Sequence, residues 1–583
     1  MKQIKFLELN SKPMTIKWLK HISHNVKKYI LFLGVCNILT AIISINVALF
    51  MKLLIDYAVN GESKHFVRYF IYLCFLIIGQ LLIRVTYRHI EEYAKACLEN
   101  ALRKRLYSSV LNREYAYISN YHSGDLMNRM TSDVMIISDG MIQIVPTLAL
   151  MLTRLLGAAA CLFVMDHRFA YIFLFFGFLM ICISYFLRTK MKLLHTTVQE
   201  KDGRTRSFIQ ETVENLLVIR CFGAERRVVE KVQDLMAEHK KSRMEKVHLS
   251  NFSQFGFSIT MNAGYLFGLV WCGQGILNGT ISYGTLVAVQ QLIGQLQLPF
   301  TNLSELLPKY YAMTASAERL MEIERLPEEI NNNDIVSGSE PITKLREFDR
   351  ICFHNITFAY HPEMENILEQ ASFEFKKGDY IAVTGESGIG KSTMLKLLLS
   401  VYPNYEGTIW LENHRSRSKV DAGHRSLFSY VPQGNLLMSG TIAEVVSFMK
   451  KTSKNVSEEN LTDPNYKEIP DDIKDACKIA CADIFIEELP NKYHTVIGEK
   501  GYGLSEGQMQ RLAIARAILS DAPILLFDEA TSALDEATEE KLLLNLKLLT
   551  DKTLLIVTHK PAALAVCNKV VAIVDKKFLI KTN

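Results

Sequence analysis

Between Lys246 and Glu305 the chain carries no Asp, Glu, Lys or Arg. Crossing about 30 Å of hydrocarbon takes roughly 20 apolar residues, so this run is too long for one crossing. Asn278-Gly279 supplies a turn signal inside it, and two spans joined by a hairpin fit better than one. Four further apolar segments have the required length. The six predicted spans are Tyr29–Leu54, Phe66–Arg84, Met135–Met165, Phe169–Leu187, Phe252–Leu277 and Tyr283–Leu307. Beyond Arg346 the pattern changes to short β-like runs alternating with helical ones, as in a water-soluble α/β domain.

Lysine and arginine orient the first half. Lys17, Lys20, Lys27 and Lys28 precede the first span, and Arg188, Lys190, Arg226 and Arg227 lie between the fourth and fifth, so these ends face the cytoplasm. The stretches Glu91–Asn112 and Lys192–Glu245 are too polar for lipid and predict membrane helices that run on into the cytosol. Trp18, Ile22 and Val26 share a helical face among lysines, which predicts an interfacial helix before the first span. The basic start leads into that span without a small-residue cleavage site, so the segment stays in place. The 66 basic and 61 acidic residues nearly balance, which argues against a nucleic-acid partner. Eleven cysteines show no metal spacing, Cys477 and Cys481 included, and read as reduced thiols.

Chemistry enters with "GESGIGKST", Gly385 to Thr393, which fits GxxxxGK[ST] between a β-like "DYIAVT" and a helical run. In this pattern Gly385, Glu386, Ser387, Gly388, Ile389 and Gly390 turn backbone amides inward around phosphate, Lys391 neutralises β/γ charge, and the Ser392 hydroxyl can ligate Mg²⁺. Further on, "ILLFDEA" places Asp528 and Glu529 at the end of an apolar run suited to a buried parallel strand. One carboxylate can hold Mg²⁺ and the next can deprotonate an attacking water.

Together these motifs resemble an ATP-binding-cassette (ABC) transporter half of the exporter type, over nearly the whole chain. The resemblance implies an α-helical six-span membrane domain followed by an α/β P-loop nucleotide-binding domain with a helical subdomain. Expected boundaries are a cytoplasmic segment with the interfacial helix (1–28), the membrane domain (29–325), a linker (326–345) and the nucleotide-binding domain (346–583). It implies ATP and Mg²⁺ as ligands. Tyr360 in "FAYHP" matches the adenine-stacking residue. Gln433 in "YVPQ" matches the residue sensing Mg²⁺ and the attacking water. Asp535 in "SALD" matches the dimer-contact loop, and His559 in "VTHK" the γ-phosphate switch. Catalysis falls to Glu529, His559 and Gln433, and metal binding to Ser392, Gln433 and Asp528. "NYHSGDLMNRMTSDV", "SFIQETVENLLVIRCFGAE" and "ASAERLMEI" match the membrane half more loosely, and short helices near Tyr115–Tyr121 and Phe208–Glu214 would dock on the nucleotide domain.

The family signature, usually LSGGQ, reads here as Leu504, Ser505, Glu506, Gly507 and Gln508. In the family it faces the partner's γ-phosphate, at a helix N-terminus where amides and dipole favour an anion. Glu506 therefore adds a carboxylate near an anion. Either it points away and supports the helix start, or it weakens a site and the chain pairs with a different half-transporter. The residues of the phosphate site itself all match, which favours a self-paired dimer. Lys450–Asp472 reads as a long polar insertion, either a solvated loop or a partner contact.

Cargo is less constrained. Arg154 lies deep in the third span with no acidic residue in the predicted lipid-spanning cores, so it faces a wet cavity and an anionic group or bonds to carbonyls. Gln290, Gln291 and other amides of the last hairpin suit either a large uncharged cargo or helix-to-helix contacts. The expectation is an exporter of a peptide or amphipathic small molecule in a bacterial cytoplasmic membrane, in contact with lipid and paired with a second copy. The alternatives are one half of a heterodimer, an importer of the same fold, and an ATPase sensor or assembly subunit without flux.

Overall fold

Helices of up to 53 residues build the first half of the chain. The computed structural model describes residues 14–165, 190–191, 193–194, 196–329, 348–361, 363–414, 416–434, 437–448, 469–498 and 503–582. Two compact units result, Met1–Ser109 with Ser123–Arg325, and Val110–His122 with Leu326–Asn583.

The first unit contains helices Lys27–Val59, Ser63–Asn112 (whose last residues belong to the second unit), Val134–Met165, Glu225–Leu277 and Tyr283–Glu324. At 1.5 Å per residue the 50-residue Ser63–Asn112 helix is about 75 Å long, more than twice the roughly 30 Å of a hydrocarbon core. Three helical stretches, Met14–Val59, Ser63–Asn112 and Ser123–Met165, are long and apolar enough to cross a membrane. The fifth and sixth predicted spans lie in the two last helices, which their Gln and Asn side chains make less apolar. The fourth, Phe169–Leu187, falls outside the described residues. Leu31, Phe75, Leu82 and Leu156 are exposed, as side chains covered by lipid are.

Between the helices Ile45, Ala48, Ala158, Leu162, Val289, Leu292, Ile293 and Leu296 form a core. Farther along, the "NRMTSDV" motif folds as a π-helical turn, Arg129–Asp133. Buried Asp133 accepts from Ser316 Oγ at 2.9 Å and pairs with Arg319. Arg129 bonds Asp125 at 2.9 Å, Glu322 at 2.9 Å and the Arg319 carbonyl at 2.6 Å. Burying these charges is tolerable because each is paired and hydrogen-bonded.

The second unit holds two main sheets and a small antiparallel pair, β7 Gly440–Thr441 with β8 Val496–Ile497. An antiparallel one has the order β2-β1-β4-β5, with β1 Arg350–Phe358, β2 Leu368–Lys376, β4 Glu406–Glu412 and β5 Arg417–Lys419. The other has the order β12-β11-β3-β10-β9-β6, with β3 Tyr380–Thr384, β6 Phe428–Val431, β9 Ile524–Asp528, β10 Thr553–Val557, β11 Lys569–Val574 and β12 Lys577–Thr582. Strands β11, β3, β10, β9 and β6 run parallel, and β12 closes the edge antiparallel. Every residue of β9 and β10 is buried, which explains their unbroken apolar runs. One core lies between the two sheets around Phe353, Phe375, Leu395 and Leu526. A second lies on the other face, where helices Asp471–Ile479, Asp483–Glu488 and Glu506–Leu519 make the helical subdomain. Of the predicted polar insertion Lys450–Asp472, residues 450–468 fall outside the described residues, as does most of the expected linker.

Candidate active site

Parallel strands present their carboxyl ends along one edge, and a ligand site forms there. The register places Val383 of β3 beside Val557 of β10, and Val557 beside Asp528 of β9. Val431 of β6 pairs with Phe527 of β9. The phosphate loop after β3, His559 after β10, Asp528 and Glu529 at the end of β9 and Gln433 after β6 therefore share one edge.

The loop Gly385–Gly390 leads into helix Lys391–Leu398. Gly390 has φ of 111°, and a Cβ there would meet Ile367 Cγ2 at 2.6 Å, so both conformation and space require glycine. Lys391 is buried, and its Nζ donates to the carbonyls of Gly385 at 2.8 Å and Glu386 at 2.9 Å. The ammonium thus closes the loop on itself, where phosphate oxygens can compete for it.

Buried Asp528 has both oxygens engaged. Ser392 Oγ donates to Oδ1 at 2.8 Å and the Tyr430 hydroxyl to Oδ2 at 3.0 Å. Burial, and then the neighbouring Asp528 charge and hydrogen bond, push the Tyr430 hydroxyl well above its ordinary pKa, so it remains a donor. Gln433 Nε2 donates to Glu529 Oε2 at 2.8 Å. Glu529 has φ of 52°, a left-handed backbone unusual for a non-glycine residue. Its N–H donates to the Val557 carbonyl at 3.2 Å. Strand β10 thereby fixes where the carboxylate starts.

Tyr360 follows β1, 40% exposed, with its hydroxyl 2.9 Å from Thr393 Oγ1. His559 is exposed. The next residue, Lys560, donates to the carbonyls of Thr531 at 2.8 Å and Leu534 at 2.9 Å and pairs with buried Glu539 at 3.1 Å. Asp535 caps the Glu536–Lys547 helix by accepting from Thr538 N at 3.0 Å, and hydrogen bonds from Thr538 hold its carboxyl below the usual range.

The signature opens the Glu506–Leu519 helix as part of the helical subdomain. Ser505 and Gln508 form a capping box: Gln508 N donates to Ser505 Oγ at 3.3 Å and Ser505 N to Gln508 Oε1 at 2.8 Å. Glu506 occupies the first turn and is exposed, where a carboxylate suits the helix dipole. Gly507 differs. A Cβ there would stand 2.8 Å from the Ala533 carbonyl oxygen, so this glycine is needed for close approach to the loop before Asp535. Gln510 braces the same loop, donating to Ser532 Oγ at 2.9 Å and accepting from Ala533 N at 3.0 Å.

Sequence reasoning did not single out Tyr430, Gln510 or Lys560. Tyr430 and Lys560 each lie inside a quoted motif, and that adjacency was the available signal.

In the first unit Arg154 is half-buried on the Val134–Met165 helix, and its Nε is buried without a hydrogen bond among the described residues. Gln290 and Gln291 are half-buried on the Tyr283–Glu324 helix, and the nearby Gln295 donates across to the Ser44 carbonyl at 2.8 Å, a helix-to-helix contact. Of the two predicted short docking helices, the first appears as Tyr115–Ile118 within the second unit. Residues 208–214 continue a longer helix, followed by Leu216–Cys221. Val213, Leu216, Leu217, Val218 and Phe222 there are exposed.

A hydroxyl from Ser392 and a carboxylate from Asp528 form the hard oxygen donor set that Mg²⁺ takes with substrate phosphates. Among the described residues no three or more His, Cys, Asp or Glu side chains converge as a protein metal cage.

Comparison with known proteins gives a consistent picture. A family model described as ABC transporter transmembrane region matches residues 30–300, and one described as ABC transporter matches residues 368–532. The lactococcin-G-processing and transport ATP-binding protein LagD of Lactococcus lactis is 27% identical over 524 residues, covering 87% of this chain and 70% of that one. The ATP-dependent lipid A-core flippase of Desulfotalea psychrophila is 26% identical over 503 residues, covering 85% and 83%. The chain spans only 29% of the serine protease/ABC transporter B family protein tagA and 50% of ABC transporter B family member 1, both of Dictyostelium discoideum, to which it is 27% and 28% identical over 89% and 81% of its own length. The solved structure of a bacterial Atm1-family ABC exporter with ATP bound superposes with a TM-score of 0.77 at 19% identity, covering 96% of this chain and 95% of that one.

Proposed function

Because the chain belongs to the ABC transporters, as a multi-pass membrane domain fused to an ATP-hydrolysing domain in the cytoplasm, we propose that it works as an exporter of six spans, paired with a second copy in the cytoplasmic membrane. The observation that carries this reading is the Gln433–Glu529 hydrogen bond beside the Ser392–Asp528 pair, on the edge that also bears the phosphate loop.

ATP would lie with its base on Tyr360 and its phosphates in the amides of Gly385–Gly390, against Lys391, Ser392 and Thr393. Ser392, Asp528 and the Gln433 side-chain oxygen would hold Mg²⁺, which when bound supplies charge neutralisation at the β- and γ-phosphates. Glu529, with one oxygen held by Gln433, has the other free to accept a proton from the attacking water. His559 contacts the γ-phosphate from the neighbouring strand. The second chain brings its Leu504–Gln508 segment to the same phosphate and its Asp535 loop to the contact. ATP binding closes the two domains and turns the membrane cavity outward, and cleavage resets it. The exposed apolar side chains from Val213 to Phe222 offer a face for docking on the second chain.

For cargo we favour a peptide or amphipathic molecule carrying an anionic group. The Arg154 guanidinium, whose Nε has no hydrogen bond among the described residues, attracts the anion, while Gln290 and Gln291 hydrogen-bond its neutral part. Two relatives are named for processing and transport of lactococcin G and for flipping lipid A-core. Pairing with a different half-transporter is the second reading, favoured by Glu506. ATP turnover and particle mass of the purified chain in lipid nanodiscs, with Glu529→Gln as blank, test the two. Turnover by a dimer of this chain supports the first, and a folded chain that binds ATP but turns it over no faster than the blank supports the second.

A further inference from the structure

Three tyrosine rings line up inside the second unit. Tyr115, on the short Tyr115–Ile118 helix, meets Tyr402 edge-on at 6.4 Å between centroids. Tyr402 meets Tyr360 edge-on at 5.2 Å. Tyr360 ends the row, with its hydroxyl on Thr393 in the first turn of the phosphate-loop helix. Phe358 closes the group, 5.2 Å from Tyr360 and 5.7 Å from Tyr402.

The row begins on a segment anchored independently of it. Glu114 N donates to the Pro327 carbonyl at 3.1 Å, and Glu329 N to the Asn112 carbonyl at 2.9 Å. Arg425 holds Glu329 at 2.7 Å and donates to the Leu399 carbonyl at 2.8 Å, just past the phosphate-loop helix. Losing one ring therefore leaves the segment tethered.

A base can stack only on a ring face that is held still and open. Tyr360 is partly exposed, and its tilt is set by its hydroxyl bond and by near-perpendicular contacts with the rings of Phe358 and Tyr402. Ring pairs of this geometry hold orientation rather than merely burying area. We propose that Tyr402 is a positioning residue for nucleotide-base stacking on Tyr360, and that Tyr115 makes base affinity depend on how the Tyr115–Ile118 helix is seated. The proposal rests on the reading of Tyr360 as the base platform. By thermodynamic reciprocity, whatever factor the seating of Tyr115 adds to base affinity, base binding adds to that seating. The row would then report the presence of a base, as distinct from phosphate, to a segment joined by chain to two membrane helices.

The test compares two ligands that differ by base and sugar, ATP and inorganic tripolyphosphate, each with Mg²⁺. Binding is measured on the full chain in nanodiscs with Glu529→Gln in the background, so that cleavage plays no part. Tyr402→Leu is expected to weaken ATP about three- to tenfold, the range of such ring pairs, while tripolyphosphate stays within about twofold. Tyr402→Phe, which keeps the ring, restores ATP binding. Tyr115→Ala weakens ATP in the same direction by a smaller factor. Equal weakening of both ligands by Tyr402→Leu would mean a general distortion of the loop and would overturn the proposal, as would unchanged ATP binding in Tyr402→Leu or Tyr115→Ala. A parent chain that binds ATP no more tightly than tripolyphosphate would overturn the base-stacking reading itself, and the proposal with it.

Discussion

Adding a single methyl group at Gly507 tests how the signature helix meets the loop before Asp535. In Gly507→Ala the new Cβ would sit 2.8 Å from the Ala533 carbonyl oxygen. Relaxed carbon-to-oxygen contacts begin at about 3.3 Å, so helix or loop must retreat by about 0.5 Å. The loop resists, because Gln510 holds Ser532 and Ala533, and Lys560 holds the carbonyls of Thr531 and Leu534. Overpacking of this kind costs about 1–3 kcal/mol. A misplacement near 1 Å costs roughly 100-fold in rate, so half of that predicts a loss of about tenfold. Glu506→Ala is the matched control, since that side chain is exposed and contributes only about 0.3–1 kcal/mol through the helix dipole. ATP turnover in nanodiscs at saturating ATP, with thermal midpoints measured in parallel, gives the comparison. Glu506→Ala should stay within about fivefold of the parent, the factor to which the upper end of that dipole estimate corresponds. If Gly507→Ala kept full turnover and stability, the close approach of Gly507 to the Ala533 carbonyl would not matter for activity. A large rise in turnover for Glu506→Ala would mean that its carboxylate opposes the phosphate.

Two further changes probe the remaining parts. Tyr430→Phe removes a hydrogen bond to the buried Asp528 carboxylate and should lower the stability of the nucleotide-binding unit by about 1.5–3 kcal/mol, read from the thermal midpoint. Because folding raises the Tyr430 pKa, that contribution is present in full below about pH 10, the unfolded value, and fades above it, so parent and variant should converge only in strong alkali. Arg154→Ala should weaken cargo stimulation and transport about 10- to 100-fold while basal turnover and folding persist. Unchanged stimulation would remove Arg154 from the cargo path.

What the sequence disclosed follows from the range of the interactions involved. The phosphate loop, "ILLFDEA" and the signature are local patterns, and a parallel sheet brings them to one edge whatever separates them along the chain. Contacts set by packing left less trace. Nothing in "REYAY" announces that Tyr115 meets Tyr402, because the two rings are brought together by backbone bonds between Asn112 and Glu329. The difference between Glu506 and Gly507 was equally hidden. Both read as positions of one motif, yet only Gly507 faces a carbonyl. The membrane half shows the converse limit. Charge-free runs announce helices, but amides in the last two dilute their apolarity, so hydropathy alone marks fewer crossings than charge depletion does.

Pairing and cleavage can be read together in one experiment. The purified chain, alone in lipid nanodiscs, is weighed and its ATP turnover measured beside Glu529→Gln. A dimer of this chain is expected, with turnover exceeding the blank by about 100-fold or more, as loss of a general base implies, and with ATP still bound by the variant. Turnover by Glu529→Gln close to that of the parent would contradict it, because the carboxylate held by Gln433 would then not be the base.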